Sequence, residues 1–219
     1  RYKKGFKFPG RDGQGLLYEL TITDITDECC ILDVKYSEKG SNDLPEIVLY
    51  QCLCKGKKMD QIVRQATESG VSKIIPVVSD YAVTKLNRGN SGKFGRWNKI
   101  IREAVQQSGS LVNTYIDDPV TIEELEIPDN KMDRGLFFHQ EALDTASLHG
   151  YLSSNLDKIY IVIGPEGGLS EREIVVLREK EYKPVYLKTN ILRSETAAIY
   201  ALSSVQTIVL ERENWMLKE

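Results

Sequence analysis

The sequence is poor in the residues that build metal centres and disulfide frameworks: four cysteines and two histidines occur in 219 residues. The cysteines stand as Cys29-Cys30 and Cys52-X-Cys54. Neighbouring strand residues point to opposite faces, so Cys29 and Cys30 cannot readily chelate one ion. Cys52 and Cys54 would share a face but lack the second pair of a zinc set, and His139 and His149 are isolated. No metal is expected. All four cysteines read as buried, reduced core residues, which points to a cytoplasmic compartment. No apolar run approaches the roughly 20 residues that span a bilayer. No secretory leader is visible either, because residues 1–11 are basic and no apolar segment follows them. The chain begins without Met inside what reads as a structured stretch, so a native segment is expected ahead of Arg1.

A large net charge is also missing; the formal value is −3. The distribution is nevertheless uneven. Arg1, Lys3, Lys4, Lys7 and Arg11 occur with no acid among them, and so do Lys85, Arg88, Lys93, Arg96, Lys99 and Arg102. Acids gather instead at Asp117, Asp118, Glu123, Glu124, Glu126, Asp129 and Asp133. Such basic patches suit either a solvated face or phosphate contacts. The second interleaves Gly89, Gly92 and Gly95 with Phe94 and Trp97, which favours a mobile RNA-contacting loop. Arg1, Lys3, Lys4, Lys85, Arg88, Lys93 and Arg96 are the RNA-binding candidates.

What is present is an alternation. Residues 16–23 and 29–36 read as an antiparallel hairpin, and 36–46 as a polar linker. Beyond it, strands at 47–54, 73–79, 135–139, 158–163 and 184–187 alternate with helical spacing. Met59, Ile62, Val63 and Ala66 mark one helical face, and Phe94, Trp97, Ile101, Ala104 and Val105 another. Ser170-X-X-Glu173 is a capping box. Ser194 is the candidate N-cap of a last helix with the stripe Ala198, Leu202, Val205 and Val209. The pattern predicts an α/β fold with a mostly parallel sheet, preceded by a small β domain.

Two turns carry the chemistry: Ile163-Gly164-Pro165-Glu166-Gly167-Gly168-Leu169-Ser170 and Ile191-Leu192-Arg193-Ser194-Glu195-Thr196-Ala197-Ala198. Each follows a β-branched apolar run and opens a helix, and strand ends of this kind build ligand pockets. The first turn has neither dinucleotide nor P-loop spacing. Glu166 occupies the place a phosphate would take, so a neutral or cationic ligand is more compatible. In the second turn Glu195 and Thr196 suit a first helical turn, whereas a cation there is unfavourable. Arg193 is therefore the best functional candidate.

Residues 163–174 (IGPEGGLSEREI) and 191–198 (ILRSETAA) closely resemble the SPOUT-class small-subunit (16S) ribosomal RNA uracil-N3 methyltransferases. Further matching stretches are Lys55-Gly56-Lys57-Lys58-Met59, Glu68-Ser69-Gly70-Val71, Ile75-Pro76 and Phe137-Phe138-His139-Gln140-Glu141. Arg1-Tyr2-Lys3-Lys4-Gly5 resembles the family's PUA-like barrel entered part-way. The resemblance implies a PUA-like domain over 1–44 and a SPOUT domain over 45–219 with a C-terminal deep trefoil knot, acting as a homodimer. It implies S-adenosylmethionine as cofactor, held by Phe138, His139, Gly164, Pro165, Gly167, Gly168, Leu187, Ile191, Leu192, Ser194 and Ala197. The substrate would be 16S rRNA of the small ribosomal subunit. Arg193 would stabilise the uracil anion, and Glu195 or Glu166 would accept its proton. Two departures bear on RNA contacts. Lys188-Thr189-Asn190 replaces the family's Gly-X-Arg, and Ser110 stands near the usual site of an arginine. A SPOUT ribose 2′-O-methyltransferase and a non-catalytic RNA-binding or ribosome-assembly factor are the alternatives.

Overall fold

The computed structural model describes residues 2–12, 16–39, 44–82, 91–128, 130–144 and 146–214. The chain divides into two compact units, Arg1–Asn42 with Leu111–Asn113, and Asp43–Ser110 with Thr114–Glu219.

The first unit is an antiparallel sheet of β1 (Lys7–Arg11), β2 (Leu16–Ile25) and β3 (Cys30–Lys39), in that order. The hairpin of β2 and β3 forms where the sequence predicts it, but β3 continues past Tyr36 into the expected linker. Strand β1 was not legible: KFPGR is short, with a proline and a glycine that both disfavour strands. It forms because Lys7 to Arg11 pair with Thr21 to Leu17. Tyr2, Phe6 and Phe8 gather with ring centroids 4.8 to 6.5 Å apart.

The second unit places β4 (Glu46–Cys52), α1 (Lys58–Glu68), β5 (Lys73–Val78), α2 (Ser91–Ser108), β6 (Tyr115–Ile116) and β7 (Val120–Thr121) in chain order. There follow β8 (Asp133–Phe138), α3 (Leu148–Tyr151), β9 (Lys158–Ile163), α4 (Glu171–Glu179), β10 (Lys183–Val185) and α5 (Ser194–Asn214). The sheet runs β10-β8-β9-β4-β5-β6, with β7 also beside β5, and every pairing is parallel. Its strands alternate between two cores. Ile47, Leu49, Ile159 and Ile161 face the layer of α1, α2 and α5. Val48, Tyr50, Tyr160 and Val162 face the side of α4, whose Leu177 is fully buried. The predicted stripe Ala198, Leu202, Val205 and Val209 is buried along α5. No described helix is long and apolar enough to cross a membrane.

Two expectations fail here. Cys29 and Cys30 are exposed at the turn and edge leading into β3; only Cys52 and Cys54 are buried. Nor do Cys52 and Cys54 share a face: Cys52 packs on the α4 side and Cys54 on the α5 side. Strand β4 ends at Cys52, so the two-residue alternation does not carry on to Cys54.

Candidate active site

Strands β8, β9 and β10 end at Phe138, Ile163 and Val185, and a cavity opens at those carboxyl ends, where parallel sheets place their ligands. Its walls are residues 138–140, 163–166, 168–169 and 185–192, with Ser194 and Ala197 of α5. Phe138, His139, Gly164, Pro165, Gly168, Leu187, Ile191, Leu192, Ser194 and Ala197 therefore all line it. Gly167 does not. A side chain there would bring its Cβ within 3.0 Å of Tyr81 Cβ, so Gly167 packs on Tyr81 instead.

The first turn closes tightly. Gly168 N–H donates to the Pro165 carbonyl at 3.0 Å, and Gly168 takes φ 75°, the left-handed region that suits glycine. The helix that follows is capped as the sequence predicts, with Ser170 and Glu173 bonding reciprocally.

Ser194 corrects its predicted role. It is not the N-cap of α5: the Arg193 carbonyl already accepts from Ala197 N–H at 2.7 Å, so Ser194 lies inside the helix. Its hydroxyl instead donates to the Gly164 carbonyl at 2.7 Å and accepts from Gln51 Nε2 and Cys54 Sγ, each at 3.1 Å. One donor and two acceptor sites are all a hydroxyl has, so Ser194 is saturated. Burial pushes the Cys54 thiol up to about 11, which keeps it a protonated donor.

Lys58, at the start of α1, joins the two turns by charge. Its Nζ lies 2.7 Å from Glu166 Oε1 and 3.6 Å from Glu195 Oε2. Glu166 Oε1 also accepts Lys55 N–H at 3.2 Å. Burial pushes the Glu166 carboxyl up, but the Lys58 ammonium and the backbone donors outweigh it and hold it below the usual range. The ion pair cancels the Glu166 charge, so that acid does not by itself set the sign of the ligand. Glu195 is buried, and its Oε2 has no hydrogen-bond partner. Neither Glu195 nor Arg193 lines the cavity. Arg193 is exposed, and its side chain makes no ion pair or hydrogen bond among the described residues.

The RNA candidates are dispersed. Lys3 and Lys4 are exposed in the first unit, and Lys93 and Arg96 are exposed on α2, where Arg96 pairs with Asp60 at 2.5 Å. Arg1, Lys85 and Arg88 lie outside the described residues. The aromatic part of the predicted loop is corrected. Residues 91–108 are helical, Trp97 is buried, and Phe94 packs edge-on against it. Hydrophobic spacing at 94, 97, 101, 104 and 105 wins over the glycines.

Sequence reasoning passed over Lys58, Gln51 and Cys54. A signal was available for two of them: Lys58 lies within the KGKKM stretch of residues 55–59, and Gln51 is a lone amide in the apolar run of β4.

The RNA methyltransferase domain family matches residues 41–206. The chain belongs to that family. Its curated relatives include the ribosomal RNA small subunit methyltransferase E of Aquifex aeolicus, 37% identical over 161 residues, covering 72% of this chain and 67% of the relative. The protein of that name from Bacillus subtilis is 30% identical over 186 residues, covering 82% and 72%. Among solved structures, a ribosomal RNA small subunit methyltransferase E from Neisseria gonorrhoeae bound to S-adenosyl methionine shares the fold. Its TM-score is 0.78 at 23% identity, with 94% of this chain and 84% of that chain covered.

The methyltransferase cavity also shows the backbone at the Lys188 departure. Lys188 lines the cavity with φ 50°, a conformation costly for any side-chain-bearing residue and free for glycine. The glycine that the resemblance implies at this place would adopt this backbone without cost, whereas Lys188 adopts it at φ 50°.

Proposed function

We propose that this chain transfers a methyl group from S-adenosylmethionine to N3 of a uridine in the 16S RNA of the small ribosomal subunit, in the cytoplasm. The observation that carries the reading is the pair of turns fastened together by Ser194 across one cavity, in a chain 37% identical to a small-subunit rRNA methyltransferase.

The cavity suits the cofactor. A Cβ on Gly164 would meet the Gly168 backbone at 3.3 Å, so a side chain would crowd the turn, and glycine presents bare backbone to a ligand there. Apolar walls from Phe138, Leu187 and Leu192 suit the adenine and ribose carbons. When bound, the cofactor supplies a methyl group activated by a positive sulfonium. The protein supplies position and charge. Methylation at N3 exchanges the imide proton for the methyl group, so the site needs a proton acceptor and a cation for the uracil anion. Arg193, unpaired and one residue beyond the cavity wall, is assigned the cation's role. Both candidate acceptors face Lys58: Glu166 is hydrogen-bonded to it at 2.7 Å and held below the usual carboxyl range, which makes it the weaker base, whereas Glu195 Oε2 lies 3.6 Å away without a hydrogen bond.

The same reading extends to the fold. Residues 1–44 are assigned to a PUA-like RNA-binding domain and 45–219 to a SPOUT domain whose last helix is drawn through a trefoil knot. Two copies would pair as a homodimer. Lys3, Lys4, Lys93 and Arg96 would meet RNA phosphates.

The test incubates the protein with labelled S-adenosylmethionine and small ribosomal subunits, then digests the RNA. Label in 3-methyluridine is expected; label on ribose would mean a 2′-O enzyme, and no cofactor binding in calorimetry a non-catalytic one. Arg193→Ala should lower the transfer rate at unchanged cofactor affinity, and full activity would sink its role.

A further inference from the structure

Strand β5 is followed by a turn in which Ala82 N–H donates to the Ser79 carbonyl at 3.0 Å, and Tyr81 within it is 54% exposed. A single exposed tyrosine is ordinary. This one is held in place from both sides.

Asp80, its neighbour, is fastened to the start of α4. The Asp80 N–H donates to Glu173 Oε1 at 2.8 Å, and Asp80 Oδ2 accepts from the Ser170 hydroxyl at 2.5 Å. Arg172 Nη2 donates to Asp80 Oδ1 at 2.7 Å and its other arm pairs with Glu123. Glu173 is fully buried, and its second oxygen accepts Ser170 N–H at 2.8 Å. A carboxylate withdrawn from water is tolerated only with its oxygens satisfied, and here half of that satisfaction comes from the Tyr81 turn.

On the other side Tyr81 lies on Gly167. This glycine has no positive φ, so backbone freedom does not explain it. Close approach does: a Cβ at Gly167 would sit 3.0 Å from Tyr81 Cβ and 3.5 Å from Cγ. Gly167 stands between Glu166 and Gly168, which line the cavity. An exposed aromatic ring is thus fixed one peptide unit from the cavity wall. The chain beyond it carries Lys85, Arg88, Lys93 and Arg96 with no acid among them.

A fixed, exposed aromatic ring at the edge of a substrate cavity is a platform on which unpaired bases can stack. We propose that Tyr81 receives a base of single-stranded RNA beside the methyl-donor turn, with Asp80, Arg172 and Glu173 as the residues that position it. The assignment rests on the function proposed above. Tyr81 and the buried Trp97 divide the aromatic roles: the ring predicted to contact RNA is core, and the contacting ring comes earlier in the chain.

The test measures binding of a uridine-containing single-stranded RNA oligonucleotide by fluorescence anisotropy, with S-adenosylmethionine affinity, thermal midpoint and oligomeric state measured alongside. Tyr81→Ala should weaken RNA binding by roughly 5- to 100-fold, the range of one lost stacking contact. Cofactor affinity, midpoint and oligomeric state should hold, and Tyr81→Trp should restore RNA affinity because any large ring can stack. Unchanged RNA binding in Tyr81→Ala overturns the stacking role while leaving the proposed function intact. So does a loss that Tyr81→Trp fails to restore, a loss of cofactor affinity or stability together with RNA binding, or a changed oligomeric state. An unmodified protein that binds no RNA overturns both.

Discussion

The hydroxyl of Ser194 donates a 2.7 Å hydrogen bond to the carbonyl of Gly164, thirty residues earlier in the chain. One end of the cavity-forming turn after β9 is thereby tied to the first turn of α5. Gln51 and Cys54, just beyond the centre of the sheet, complete the tie from below. The Ser194 hydroxyl at this junction has no spare donor or acceptor site, which ties the cavity-forming turn to α5 and β4.

Ser194→Ala should therefore cost more than one surface hydrogen bond. It leaves one N–H of the buried Gln51 amide, whose other bond goes to the Cys52 carbonyl, and the Gly164 carbonyl without the Ser194 partner, at about 1–3 kcal/mol. For a protein of this size that is a fall of several degrees in the thermal midpoint. Calorimetry should also show weaker S-adenosylmethionine binding, and a variant matching the unmodified protein in both measurements would contradict the role.

Acid should loosen the same region. Folding lowers the Glu166 carboxyl below its ordinary 4.5, through Lys58 and backbone donors that overcome the effect of burial. Arg172 and Ser170 lower Asp80 below 3.8, and Arg172 lowers Glu123. Groups lowered on folding contribute stability above their unfolded values, and that contribution disappears as pH falls through the folded values. The thermal midpoint should hold from neutrality to near 4.5 and decline below it. In Lys58→Met the decline should shrink, because Glu166 has lost its main counter-charge. An equally steep decline would remove Lys58 from the account.

Lys58→Ala should also reduce methyl transfer, about tenfold or more, since it releases Glu166 and Glu195 together. Lys58→Arg should retain much of the rate, as the charge reaches the same carboxylates. Steady-state kinetics would decide, with full activity in the alanine variant as the contrary result.

Lys188→Gly should stabilise the protein. A side-chain-bearing residue in the left-handed region costs about 1 kcal/mol, and glycine removes most of that cost. Part of the gain is returned as unfolded-chain entropy, so the midpoint should rise by only a few degrees. A lower midpoint would mean that the Lys188 side chain itself contributes at the cavity.

Gly135→Ala should do the reverse. Its Cβ would sit 2.8 Å from Pro128 Cγ and 2.9 Å from the Tyr182 ring, neither of which is a flexible chain end. Overpacking of this kind costs about 1–3 kcal/mol, readable by denaturant unfolding.

Local rules made much of the second unit legible. The box of Ser170 and Glu173 was readable because both partners lie within one helical turn. The α1 face and the α5 stripe were readable because burial follows helical period. Strand β1 was not, since a segment as short and glycine- and proline-bearing as KFPGR forms only when a neighbour pairs with it. Ser194 was misread for a related reason. It has the local look of an N-cap, but its hydroxyl is taken by a carbonyl brought near by the fold.

What the sequence alone determined was the alternation of strands and helices, the two turns and, through the motifs they carry, the methyltransferase family. Those features are written in neighbouring residues, where propensity, capping and periodicity act over a few positions. Tertiary structure alone decided that Lys58 reaches Glu166, 108 residues away, and that Tyr81 rests on Gly167. It also decided that Arg193 stands outside the cavity wall. Such pairings depend on which strand ends lie side by side, and strand order is set by the packing of the whole sheet rather than by any local pattern.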